Sequence, residues 1–176
     1  MKIGIIGSGR VGYSMGKYMQ DHGIRVTGFY DRHRERALDA AQFTGTDSFD
    51  RIEDLVAASD TLFLTTSDGE IANVWDCIRH LSIQGKIICH FSGSLSSDQF
   101  QGIEKTRAYG LSIHPMLAFS DKYTSYKQLQ NAFFTLEGHA QALAVMEPLL
   151  QKMGNPVQRI APEQKALYHA AAATLS

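Results

Sequence analysis

The chain lacks an excess of either charge. Its 17 Lys and Arg stand against 18 Asp and Glu, for a formal net charge of −1. No bulk positive field therefore draws it to nucleic acid or to anionic lipid. It also lacks a long apolar run, and none reaches the ~18 residues that a membrane span needs. The start, MKIGIIGSGR, has one Lys and a short apolar stretch, so it reads as a first β-strand and not as a secretion signal. Cysteine is scarce. Cys77 and Cys89 form no CxxC pair and no disulfide framework. Both are expected to be buried free thiols, which fits a reducing compartment, most simply the cytoplasm. No metal site is expected. Repeats and low-complexity stretches are missing as well. What remains is ordinary globular composition, 44% hydrophobic and 20% charged over 176 residues. That is enough for a normal core and for one domain, or one domain plus a fragment.

Strand and helix patterns alternate from the first residue. Lys2–Ile6 is a short apolar run without period, as a buried parallel strand is. Val11, Met15, Tyr18 and Met19 follow at helical spacing, and Gly23 ends that helix. Strands are predicted over Arg25–Tyr30, Asp60–Thr65, Lys86–Phe91, Arg107–Ile113, Asn131–Leu136 and Asn155–Arg159. Helices are predicted over Arg32–Gln42, Arg51–Ala58, a segment through Ile71, Val74, Ile78 and Leu81, and Gln141–Met153. Phe119–Gln130 has no period and is expected to be a long loop. Repeated strand–helix units imply a doubly wound α/β fold, a mainly parallel Rossmann-type sheet with helices on both faces. Pro162 and Glu163 open a further helix that runs from Lys165 with no stop signal. The expected division is a dinucleotide-binding domain over 1–160 and the truncated start of a helical domain over 161–176.

Gly7-Ser8-Gly9-Arg10-Val11-Gly12 is a GxGxxG placed between the first strand and the first helix. That context turns a weak pattern into a specific one. Gly7 permits the tight turn, Gly9 lets the backbone approach a pyrophosphate, and Gly12 lets helix and strand pack closely. Free N–H groups of the helix N-terminus then meet the phosphates. Asp31 follows Gly12 by about 20 residues, where an acidic side chain holds the adenosine ribose of NAD. Arg32 and Arg34 come next. Either can pair with the extra phosphate of NADP, or both can be a solvated helix face, so NAD and NADP both stay open as cofactor. Thr65 and Thr66 end a strand where hydroxyls reach ribose or nicotinamide.

Two more strand ends point at the same crevice. Ser92, Gly93 and Ser94 follow one, with Ser92 and Ser94 suited to a substrate carboxylate or carbonyl. His114 ends the other and is a candidate acid–base and substrate-binding group. His90, inside its strand, reads better as a structural histidine. Lys165 and His169 stand four apart on one helix face. A Lys that meets the crevice can protonate an alkoxide as hydride arrives at carbon.

GIIGSGRVG, HFSGSLSSD (90–98), LSIHPMLAF (111–119), FFTLEG (133–138) and KALYHAAAATLS (165–176) together resemble Rossmann-like reductases of the pyrroline-carboxylate reductase, β-hydroxyacid dehydrogenase and ketopantoate reductase group. More narrowly, they resemble a bacterial family with a C-terminal helical domain of unassigned function, some members of which are considered alternative ketopantoate reductases. The resemblance implies that Lys165 is a proton donor, with His169 where the wider group carries a polar partner. In β-hydroxyacid dehydrogenases that partner is an amide, so His169 departs from the pattern. It also implies a helical domain that closes the substrate site and builds a homodimer. The expected function is NAD(P)-dependent hydride transfer to a small carbonyl or 2-oxo acid, with a ketopantoate-like substrate as one form of it. Two alternatives stand beside it. One is a nucleotide-binding or sensing module without turnover. The other is a prephenate-type dehydrogenase, which the HPM segment resembles and in which His114 would be catalytic.

Overall fold

A computed structural model describes residues 1–174. Eight strands form one sheet in the order β3-β2-β1-β4-β5-β6-β7-β8. They are β1 (Lys2–Ile6), β2 (Arg25–Tyr30), β3 (Asp47–Ser48), β4 (Thr61–Leu64), β5 (Ile87–His90), β6 (Tyr109–Pro115), β7 (Phe134–Gly138) and β8 (Val157–Arg159). All neighbours run parallel except β6 and β7. The chain reverses its direction of travel across the sheet between β1 and β4, which opens a crevice at their carboxyl ends. The expected doubly wound α/β architecture is thus observed. β3, only two residues long, left no periodic signal. β6 begins at Tyr109 because Arg107 takes a left-handed φ of 59°.

Alternation along each strand feeds two cores. Ile3 and Ile5 of β1, Phe63 of β4 and Cys89 of β5 face one side. There they meet α1 (Arg10–Asp21), α2 (Arg34–Thr44) and α5 (Ala140–Lys152). Ile6, Leu62, Leu64 and Ile88 face the other, against α3 (Ile52–Ala58) and α4 (Ile71–Ile78). Period 2 on a sheet covered on both faces is what the apolar runs encode. The predicted stripe Leu143, Met146 and Leu150 is buried on α5, and Met153 is buried at its C-cap. Cys89 is buried as expected, but Cys77 is exposed, since α4 turns Trp75 and Ile78 inward instead.

The segment read as a loop over Phe119–Gln130 ends in a 3-10 helix, Ser125–Asn131, lying on α1. Its lack of 3.6 period reflects that tighter winding. Lys122 and Tyr123 tie it to Asp39 of α2, at 2.7 and 2.9 Å. After β8 comes a 3-10 turn, Pro162–Gln164, and then α6 (Lys165–Thr174). The Gln164 side chain accepts the Ala161 N–H at 2.9 Å and so fixes the entry to α6. Among the described residues no helix is long and apolar enough to cross a membrane.

One buried side chain joins several of these pieces. Asn155 donates to the carbonyls of Leu129 and Ala132 at 2.7 and 3.1 Å, and accepts the Tyr18 hydroxyl at 2.8 Å. Asn155→Ala orphans all three groups. It should lower the unfolding free energy by about 2–4 kcal/mol in urea titrations, whereas Tyr18→Phe should cost about 1 kcal/mol.

Candidate functional site

The turn after β1 is built by steric exclusion. Gly7 adopts φ +104°, and its N–H donates to the Tyr30 carbonyl at 2.8 Å. A Cβ on Gly12 would overlap the Gly7 carbonyl oxygen and would lie 2.7 Å from Thr65 Oγ1. At Gly9, which caps α1, the nearest atom to such a Cβ is the Thr65 carbonyl at 3.8 Å. The space above Gly9 is therefore open, and the N-terminus of α1 faces it. A cleft of about 440 Å³ runs from this turn between the ends of β1, β2 and β4.

Sequence-predicted residues meet in that cleft but in unequal roles. The Thr65 hydroxyl donates to the Gly7 carbonyl at 2.6 Å, so it clamps the loop. Thr66 and Ser8 also line the cleft, and among the described residues their buried hydroxyls have no partner. Such groups call for one. Asp31 is also committed: Oδ2 accepts the Ser8 N–H at 2.7 Å and Oδ1 the His33 N–H at 2.9 Å. Arg32 lines the cleft and, among the described residues, makes no ion pair. Arg34 is turned away to Asp50 at 2.6 Å, and Arg36, one helical step further, lines the cleft instead. A helix over Arg32–Gln42 would have set Arg32 and Arg36 on one face, but α2 starts at Arg34 and Arg32 reaches the cleft from the turn before it. Arg10 reaches out to the Phe119 carbonyl at 3.3 Å, and Val11 packs against the core. The open backbone over Gly9, the exposed N–H groups and the two unpartnered hydroxyls fit a dinucleotide.

A second constellation lies beside the first. Ser67 lines the cleft, and Asp68, the next residue, accepts the Ser92 hydroxyl at 2.7 Å and the Ser94 hydroxyl at 3.4 Å. Both serine hydroxyls expected to meet a substrate carboxylate are thus turned toward a carboxylate of the chain. Lys165, 1% exposed, inserts from α6 between the ends of β5 and β6. Its ammonium donates to the Ser92 carbonyl at 2.9 Å and to the Ser112 hydroxyl. Burial brings its pKa down to about 8, against the opposing pull of Glu137 and Asp68. His169 stands one turn along α6, and its ring centroid lies 5.6 Å from that of His114, nearly perpendicular. A Cβ on Gly93 would overlap His169 Nδ1 and would lie 2.9 Å from His114 Nε2, so only glycine lets the two rings close over this turn. Burial first, then Lys165 and His169, bring the His114 pKa down to about 4. Its Nδ1 and that of His169 are buried without a partner among the described residues. Tyr168 also faces His114, at 5.9 Å between centroids.

His90 is structural, as its place inside the strand suggested. Its Nδ1 accepts the Ser92 N–H at 3.2 Å and its Nε2 meets the Ser96 carbonyl at 2.9 Å. Three residues of this constellation had not been singled out as candidates: Asp68, Ser112 and Glu137. For Ser112 and Glu137 the signal was alternation. Ser112 and His114 alternate with Leu111 and Ile113, and Thr135 and Glu137 with Phe134 and Leu136. That pattern predicts one polar face on β6 and β7.

The glycine geometry separates binding from folding. Gly9→Val should leave stability within about 1 kcal/mol of the parent and abolish saturable NADPH and NADH binding in calorimetry. Gly12→Val should lose both binding and stability, seen as a lowered urea midpoint. Retained binding in Gly9→Val would contradict the cradle.

Comparisons with known proteins agree with this fold. Residues 1–82 match the family described as "Oxidoreductase family, NAD-binding Rossmann fold". Residues 132–176 match a domain of unknown function, DUF2520, which starts before β7 and includes α6. A search of curated proteins returns no match. Among solved structures, a Bacteroides fragilis protein assigned as an NADP oxidoreductase is 20% identical, with TM-score 0.86, over 99% of this chain and 66% of its own. A Myxococcus stipitatus imine reductase variant in complex with NAD+ is 17% identical, with TM-score 0.73, over 99% and 58%. Synechocystis arogenate dehydrogenase is 18% identical, with TM-score 0.77, over 94% and 61%. The chain thus spans about two thirds or less of the length of these structures. Its front is thus similar to the NAD-binding Rossmann fold of an oxidoreductase family, and its back to DUF2520.

Proposed function

We propose that the chain serves NAD(P)H-dependent reduction of a small substrate with a polar double bond, C=O or C=N, at the crevice between β4, β5, β6 and α6. The observation that carries this reading is Lys165. A buried ammonium is costly unless its donors are used. Two of its three N–H groups are accepted by Ser92 and Ser112, and among the described residues no third acceptor meets it. The remaining proton suits a developing oxyanion or amide nitrogen. A bound nicotinamide would supply the hydride. The chain's own residues would hold its pyrophosphate over Gly7–Gly12, leave Thr66 free toward it, and bring Lys165 to the reacting atom. Residues 1–160 would be the nucleotide domain, with α6 opening the part that completes the substrate site. Pairing of two chains through that part is a further element of the proposal.

The cleft favours NADP(H) in this reading. Asp31 is a strut for the loop, because both its oxygens accept backbone N–H groups. Arg32 and Arg36 supply two cations at the cleft wall. Arg32→Ala with Arg36→Ala should weaken NADPH by about tenfold or more, since hydrogen bonds to charged groups contribute about 1.5–3 kcal/mol each, and leave NADH nearly unchanged. Asp31→Ala should weaken both cofactors alike. A gain for NADPH alone would return Asp31 to the ribose.

Lys165→Met should lower turnover by about 10²-fold or more with imine or 2-oxo acid substrates, at unchanged cofactor affinity. The donor form of Lys165 is lost as pH rises through about 8, so reduction should fall above that pH. A dehydrogenase of the prephenate type is favoured by one observation, the unpartnered Nδ1 of a neutral His114. If Lys165→Met keeps turnover while His114→Ala removes it, that arrangement replaces this one. Binding without oxidation of NADPH by any substrate tested would favour a sensing module.

A further inference from the structure

On the sheet face where α3 and α4 cover β1, β4 and β5, the ends of β6 and β7 are covered differently. His90, Ser112 and Glu137 lie in one cross-strand row, His90 paired with Ser112 and Ser112 with Glu137. All three are buried. Each takes one link of the same turn. His90 meets the Ser96 carbonyl, and Ser112 donates to the Leu95 carbonyl at 3.4 Å. Glu137 accepts the Ser97 N–H at 2.7 Å and the Ser97 hydroxyl at 2.6 Å. The segment 92–97 is thus stitched to three adjacent strands.

Lys165 enters this row at its middle. Its ammonium donates to Ser112, and the cross-strand partner of Ser112 is Glu137. Directly opposed residues in an antiparallel pair hold their Cβ atoms about 4.5–5.5 Å apart. A buried carboxylate, fixed by two hydrogen bonds from Ser97, therefore stands one hydroxyl away from a buried ammonium. We propose that Glu137 is the positioning residue of this site, the fixed counter-charge that keeps Lys165 protonated at neutral pH. The proposal deepens the role given to Lys165 above and rests on it only for its meaning in the reaction.

The charge balance leaves Glu137 the principal candidate. From β5, His90 faces Lys165 and is held neutral by burial, with its pKa brought down to about 4. From β6, His114 is likewise neutral. From α6 itself comes His169, one turn on. From the segment after β4 comes Asp68, which is exposed and occupied by two serine hydroxyls. Glu137, on β7, is 3% exposed. Water screens it least, so its charge acts most strongly on its neighbour. Burial alone would drive the lysine toward the free amine, and a free amine cannot donate a proton to substrate.

The test reads Lys165 directly and needs no substrate. The protein is labelled at lysine Cε with carbon-13, the Lys165 signal is assigned by its loss in Lys165→Met, and its shift is followed against pH by NMR. Glu137→Gln keeps a carbonyl for Ser97 but removes the charge. It should move the Lys165 midpoint down by about half a pH unit or more, with NADPH affinity unchanged as evidence of an intact fold. Ser97→Ala removes one tie of the turn and keeps the carboxylate, so the midpoint should stay or rise. An unmoved midpoint in Glu137→Gln overturns the proposal, as does an equal fall in both variants, which would assign Glu137 to holding the turn alone. Asp68→Asn serves if Glu137→Gln does not fold. It should then move the midpoint down by less than about half a unit, and a larger fall would assign the counter-charge to Asp68. Loss of activity plays no part in this readout, so a failed role for Lys165 in turnover is seen separately.

Discussion

No side chain fits between Gly12 and the Gly7 carbonyl, and the front half of the molecule is organised around that contact. It fixes how closely α1 approaches β1. It also sets Gly7 in its left-handed turn and leaves the first N–H groups of α1 facing the cleft. The neighbouring strand secures the arrangement through Thr65, and the β2 end secures it through Asp31. The loop is therefore preorganised by bonds to two strands, and a bound anion gains a formed cradle without the cost of ordering it.

That rigidity changes how Asp31 is understood. By position it is a ribose ligand, the role expected of an acidic residue about 20 places after the glycines. By geometry its oxygens serve the Ser8 and His33 N–H groups. A carboxylate so engaged has about half of its lone-pair sites taken, and in the proposed reading selectivity at the adenosine end passes to the cations beside it. Arg32, from the turn after β2, and Arg36, from the first turn of α2, both line the cleft, while Arg34 pairs with Asp50.

The sheet order and the glycine cradle were legible because both rest on local rules: apolar runs of strand length, helical stripes, and glycines where only glycine fits. The wall of the second constellation was less legible, since its members come from five separate places in the chain. Lys165 was visible as a lysine opening a helix, but nothing nearby in sequence revealed that it would be buried among Ser92, Ser112 and Glu137. Ser92 and Ser94 were visible as hydroxyls, but their partner Asp68 lies more than twenty residues away. The alternating polar residues of β6 and β7 did carry the information. Alternation on a strand ordinarily marks a solvated face. Here the polar face is buried by a turn and by α6, which only the three-dimensional register reveals. Cys77 failed for a simpler reason, in that a thiol on an amphipathic helix can face either way.

A buried polar row is a costly way to cover a sheet, because each group must find its partner. An apolar face against a helix, as on β1 and β4, would pack with less risk. The row instead holds a short turn carrying Ser92, Gly93 and Ser94 against the strands, beneath His114 and His169. It also admits one lysine whose charge the row must balance. The sheet therefore has two differently built ends. At β1 and β4, backbone geometry and small residues shape a cradle for phosphate. At β6 and β7, side-chain polarity shapes a buried site around one lysine. Asp68 joins them, since it follows directly on the cleft residue Ser67 and accepts the Ser92 hydroxyl.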